Sequence, residues 1–205
     1  MNDALPSRVE RRKERTRKVL MGVALGLFYE KGIYWTKIED ITEEADIGKG
    51  TFYQYFETKE SLIRALLEEG LAESLSRMRA AAAGAGDGPS LVCALVGAKL
   101  DFSLVHPEYL LLFHQVRGWL QLKTETVSEL RDVYDRYLGQ VAELLRPAVP
   151  AGPEQDGRAR WLALALSAFT SGLLTYALLF DRADDPVARR EDLRRRIEGS
   201  LLALL

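Results

Sequence analysis

Positions 49–56 read Lys-Gly-Thr-Phe-Tyr-Gln-Tyr-Phe, a dense cluster of hydrogen-bonding side chains around two phenylalanines. The Lys49 ammonium suits a phosphate. The hydroxyls of Thr51, Tyr53 and Tyr55 can donate to phosphate oxygens, and the same side chains can touch thymine methyls. The Gln54 amide can pair with the edge of adenine. Gly50 lets a second backbone approach closely. On a helix, Phe52 and Phe56 stand at i, i+4 and share a buried face, leaving the donors outside. A buried helical hairpin would not need so many donors on two turns. A short helix of this kind suits insertion into the DNA major groove, N-terminal end first.

A preceding helix must hold that one in place. Thr36 and Glu39 have capping-box spacing, which predicts a helix from Lys37. Ile38, Ile41 and Ala45 give it one apolar face. It should stop near Ala45, with Asp46 in a left-handed turn conformation and Ile47 plugging the angle between the helices. Gly48 then serves as N-cap of a second helix over 49–56.

The stretch 27–66 resembles the DNA-binding domain of the TetR (tetracycline-repressor-like) family of transcriptional regulators. The matching pattern is Phe28, Gly32, Thr36, Ile41, the run from Lys49 to Phe56, then Lys59 and Leu62. Thr42, Asp46 and Gly48 depart from it, where a small apolar residue, a glycine and a serine are usual. The resemblance covers about the first third of the chain. It implies a DNA-binding set of Thr36, Lys37, Lys49, Gly50, Thr51, Tyr53, Gln54, Tyr55 and Lys59. Lys59 opens the next helix, where its charge opposes the helix dipole. A phosphate would relieve that conflict, and the family uses this lysine so.

Upstream, residues 8–18 hold seven Lys/Arg against Glu10 and Glu14. Such a segment can lie along phosphates beside the groove. Across residues 1–60 the charges balance, so Glu39, Asp40, Glu43 and Glu44 are expected to face away from DNA. A first helix is expected over 10–31. Its apolar stripe is Leu20, Val23, Ala24, Leu27 and Phe28, and Gly22 and Gly26 would allow close packing. Ile33 and Trp35 are expected in the core, and Tyr34 could sit at the DNA rim.

Thr58 can cap a long helix over 59–82, and the Gly/Ser-rich run 84–90 is a loop. Helices are then expected over 90–105, 107–122 and 125–146. The aromatics and histidines of this half could be plain core. The resemblance favours a ligand cavity among them, for a hydrophobic small-molecule effector. The candidate lining is Phe102, His106, Tyr109, Phe113, His114, Arg117, Trp119 and Tyr137. After a loop at 147–157, residues 161–180 carry no formal charge and are long enough to span a bilayer. Their hydroxyls, and the lack of a second span, favour a helix buried between its own domain and a partner subunit. Ala165, Ala168 and Gly172 would permit close contact there. A turn at 181–186 and an amphipathic helix over 187–205 complete the chain.

The 205 residues, 47% apolar and 28% charged, are ordinary for a globular protein. A net charge of -2 argues against a non-specific polyanion binder. Cys93 is the lone cysteine, so a disulfide framework is excluded and a cytoplasmic setting fits. No catalytic or metal-ligating constellation and no cofactor motif stands out, so no enzyme is expected.

The expectation is an all-α protein with two domains. Residues 1–60 form a three-helix helix-turn-helix DNA-binding domain, and residues 61–205 form a helical ligand-binding and dimerisation domain. It would act as a ligand-responsive repressor on a palindromic double-stranded DNA operator, as a homodimer through the last two helices, without a membrane. The alternative is a membrane-associated helical interaction protein anchored by 161–180.

Overall fold

The computed structural model describes residues 7–119, 125–180 and 190–205, and among them it is helical without strands. The helices are α1 (Arg8–Lys31), α2 (Ile38–Glu44), α3 (Lys49–Tyr53), α4 (Lys59–Ala82), α5 (Gly88–Val105), α6 (Pro107–Trp119), α7 (Glu125–Leu145), α8 (Gln155–Phe180) and α9 (Arg190–Leu202). A 3₁₀ turn at Arg146–Ala148 follows α7. The chain divides into two compact units, Met1–Leu66 and Leu67–Leu205, with the cut inside α4.

In the first unit α1 begins before position 10. Ser7 and Glu10 cap it reciprocally: the Ser7 amide donates to Glu10 Oε2 at 2.6 Å and the Glu10 amide to Ser7 Oγ at 3.2 Å. Leu20, Met21, Ala24, Leu25, Leu27 and Phe28 form its buried face. Gly32, at φ 82°, ends it. Ile41, Phe52, Phe56, Leu62, Ile63 and Leu66 complete the small core with Ile33. Gly22 and Gly26 are not packing notches. A Cβ on either would meet nothing within 4 Å.

In the second unit α5 starts at Gly88 because Asp87 caps it, accepting the Ser90 amide at 2.8 Å on its carboxylate. α8 packs against α5, α6, α7 and α9. Its start at Gln155 extends well ahead of the charge-free run, since Asp156, Arg158 and Arg160 fit the exposed side of a helix. Gly70 on α4 is the close-approach glycine: the Tyr109 ring lies where its Cβ would be. The expected end of α6 at 122, the turn at 181–186 and the start of the last helix at 187 lie outside the described residues.

Among the described residues the run 161–180 is not alone in its length and apolar content. Gly88–Val105 and Gln155–Leu179 are both long and apolar enough to cross a bilayer, and about half of each is buried within the protein. Burial of that kind is what the core helix of a soluble domain shows.

Candidate nucleic-acid interface

The angle between α2 and α3 is set by local chemistry. Asp46 takes φ 51°, and the amides of Asp46 and Ile47 turn back to the carbonyls of Glu43 and Thr42. Gly48 is the N-cap of α3, as its extended conformation allows. The helix is one turn long and ends at Tyr53. Tyr55 and Phe56 bond back to Phe52 without extending it. The expected span 49–56 is therefore too long. Phe52 is fully buried and Phe56 nearly so, and they anchor α3 from below. Lys49, Gly50, Tyr53 and Gln54 are exposed, while Thr51 and Tyr55 are half-buried. A Cβ on Gly50 would meet nothing of the protein, so the space above it is open.

The expectations for Thr36 and Trp35 need correcting. Thr36 does not cap α2 or face a partner. It is fully buried, and its hydroxyl donates to Gly32 O at 2.8 Å and Leu27 O at 3.3 Å, tying the turn to the end of α1. Lys37 is the N-cap instead, its amide held by Asp40 Oδ2 at 3.0 Å, and its side chain is exposed. Glu39 is exposed on α2 and reaches across to the start of α3. Its carboxylate bonds the Lys49 ammonium at 2.5 Å, which holds the carboxyl below its ordinary range and raises the lysine. Trp35 is not core: it is 74% exposed beside Tyr34 at 76%, the two rings edge to face at 5.0 Å.

Lys59 has an internal role that its position in the sequence did not suggest. Its ammonium donates to Ile33 O at 2.8 Å and Thr36 O at 2.9 Å, pinning the α1–α2 turn to the start of α4. These carbonyls stabilise a cation that the α4 dipole alone would disfavour. Thr58 and Ser61 cap α4 reciprocally beside it.

The basic residues of α1 border a broad cleft of about 1110 Å³ that ends at Gln54 and Tyr55. Five cations and two carboxylates line it, which gives the edge of the α3 surface a positive field. Arg17 stacks its guanidinium 5.5 Å from the Phe56 ring centre.

The candidate ligand residues separate into groups. Phe102, Tyr109 and Phe113 are buried and form a continuous aromatic run with His106, with neighbouring centroids 5.2–6.0 Å apart. Tyr109 donates to Glu69 Oε1 at 2.7 Å, and burial pushes its phenol well above the usual range. His106 lies between Arg77 and Glu108. Arg117 donates to Tyr134. Trp119 is half-buried and His114 is exposed, so His114 lines no interior space. Tyr137 is buried and borders a groove between α4 and α7.

A short, donor-rich helix held across a turn from a supporting helix defines a helix-turn-helix DNA-binding regulator. Residues 20–66 match the family described as bacterial regulatory proteins, tetR family. The chain is similar to the HTH-type transcriptional regulator YfiR of Bacillus subtilis, at 24% identity over 86% of each chain. A shorter match, 32% over 43% of this chain and 44% of the other, is to the HTH-type transcriptional repressor KstR2 of Rhodococcus jostii. The fold also matches the crystal structure of FadR from Bacillus subtilis in complex with stearoyl-CoA. That likeness has a TM-score of 0.72 at 15% identity, over 89% of this chain and 97% of the other. Members of this family are DNA-binding regulators, not enzymes.

Proposed function

We propose that this chain is a ligand-responsive repressor that binds a palindromic operator as a homodimer in the bacterial cytoplasm. The observation that carries the DNA reading is α3, with Lys49, Gly50, Tyr53 and Gln54 exposed above the buried Phe52 and Phe56. In this arrangement Gln54 and Tyr53 choose sequence, and Lys37, Lys49 and the cations of α1 supply phosphate affinity.

Dimerisation is supported by α8. Trp161, Leu164, Phe169, Leu173 and Tyr176 recur at helical spacing and remain 39–64% exposed. Ala168 and Gly172 lie on the same exposed side, while Ala165 is buried in the protomer's own core. An apolar stripe of this size on a helix already half-buried suits a second copy. Repression and a hydrophobic effector are supported by similarity to the KstR2 repressor and by the likeness of fold to FadR with stearoyl-CoA.

Selection from random duplexes, followed by footprinting, tests the reading. The expected result is a palindrome with half-sites one helical turn apart, about 34–36 Å. Recovery of no enriched sequence would overturn operator binding, and recovery of a lone half-site would overturn the dimeric arrangement.

A further inference from the structure

Lys99 is 3% exposed in the second unit, on the inner side of α5. An ammonium has three N–H donors and no acceptor. Among the described residues its one hydrogen-bond partner is Tyr137 Oη at 3.0 Å, with the ammonium 5.3 Å from the centre of the same ring. No carboxylate of the described residues pairs with it. The Tyr137 hydroxyl donates a hydrogen bond to Met78 Sδ at 3.8 Å, a weak acceptor from which it is easily redirected. One turn before Met78 on α4, Ser74 Oγ is buried with no partner.

Buried cations are ordinarily paired, because desolvation is not recovered from a single neutral hydroxyl. Here α4, α5 and α7 bring the Lys99 ammonium, the Tyr137 phenol and Met78 together, with no carboxylate of the described residues bonded to the ammonium. Tyr137 also lines the groove between α4 and α7, a cavity of about 170 Å³ walled by Leu71, Leu75 and Val133 and by the polar Glu68, Arg136 and Gln140. Across its mouth Arg136 lies 3.9 Å from Glu68. The groove is smaller than the usual range for drug-sized ligands, so it fits a short apolar body.

We infer that Lys99 is the anchor of a ligand site entered between α4 and α7, and that the site takes a small amphiphile with a single carboxylate head. The inference rests on the reading of this unit as ligand-binding, and adds the chemical class of the ligand. The carboxylate accepts from the Lys99 ammonium and from Tyr137, whose hydroxyl turns away from Met78. The tail occupies the groove along Leu71, Leu75 and Val133. A cationic ligand of the same size is excluded by the like charge of Lys99.

Calorimetry of the full chain with octanoate, 1-octanol and octylamine tests this. Octanoate should bind about tenfold or more tighter than octanol, the worth of a charge-assisted hydrogen bond, and octylamine weakest of the three. Lys99→Met should abolish the preference for octanoate while leaving octanol affinity within about twofold. Replacing a buried charge by an apolar residue of similar shape is neutral or stabilising, so its melting temperature should not fall. Tyr137→Phe, with Lys99 intact, should keep most of the preference. The inference is overturned if wild type binds octanoate no tighter than octanol. It is equally overturned if Lys99→Met keeps the preference, or melts lower with ligand selectivity unchanged. Anisotropy with the selected operator separates the two readings. Lys99-dependent octanoate binding that leaves operator affinity unchanged removes the regulatory reading and keeps the site. Normal operator binding without Lys99-dependent ligand binding removes the site alone.

Discussion

Glu39 Oε1 lies 2.5 Å from Lys49 Nζ, so the first residue of α3 is already engaged by α2. Both side chains are about half exposed, so the pair contributes little to stability. Its effect falls on DNA binding, because a phosphate must compete with Glu39 for the ammonium. Glu39→Gln should raise operator affinity severalfold and steepen its salt dependence by about one unit per subunit. Titration of operator binding at several salt concentrations reads both.

The same pair fixes a pH window. The Lys49 hydrogen bond lowers the Glu39 carboxyl below 4.5, so that part of the pairing is present above this value and lost as pH falls through the folded value. Lys49 is raised above 10.5, so its part is present below that value and lost as pH rises through the folded one. At neutral pH the pair is intact from both sides. Wild-type and Glu39→Gln operator affinities should therefore keep a constant ratio from about pH 6 to pH 8. A ratio that changes with pH in this range would place the release of Lys49 under proton control.

Lys59 separates two roles by measurement. As a clamp on Ile33 O and Thr36 O it stabilises the domain, and Lys59→Met leaves two carbonyls without their donor. The variant should lose about 1–3 kcal/mol in denaturant unfolding. A pure phosphate contact would leave stability unchanged and lower the salt slope by about one unit per subunit. The geometry predicts the first pattern.

What could be read in advance was local. The turn around Asp46, the Gly48 cap, the Thr58 cap and the burial of Phe52 and Phe56 depend on residues within a few positions of one another. What escaped was set by partners far along the chain. Lys59 meets Ile33 across 26 positions, and Lys99 meets Tyr137 across 38. Nothing in a helical apolar pattern says that a lysine within it points inward. A threonine three residues before an acid is an apparent cap, while the real partners of Thr36 are carbonyls at the end of α1. Of the pair Ile33 and Trp35, both expected in the core, Ile33 is buried and Trp35 is exposed.

Gly70 is a second residue whose role is visible only in three dimensions. The Tyr109 ring occupies the space of its absent Cβ, with Phe113 next to it. Gly70→Ala must displace a buried ring that is hydrogen-bonded to Glu69. A loss of about 1–3 kcal/mol in chemical denaturation is expected, despite the better helix propensity of alanine. An unchanged or raised midpoint would show that the ring moves freely.

Gly172 gives the converse case. It lies on the exposed side of α8, and a Cβ there would meet nothing of its own protomer. Arginine at this position therefore fits the isolated subunit, while its charge would enter the middle of the stripe formed by Phe169, Leu173 and Tyr176. An unpaired charge buried between two copies is strongly unfavourable. Gly172→Arg should be folded by circular dichroism, monomeric by light scattering, and weaker on a palindromic operator by about a hundredfold or more. The loss is that large because binding of the second half-site is no longer intramolecular. Affinity for a single half-site should be unchanged, since α3 lies in the other compact unit. A folded dimer from this variant would move the interface away from α8.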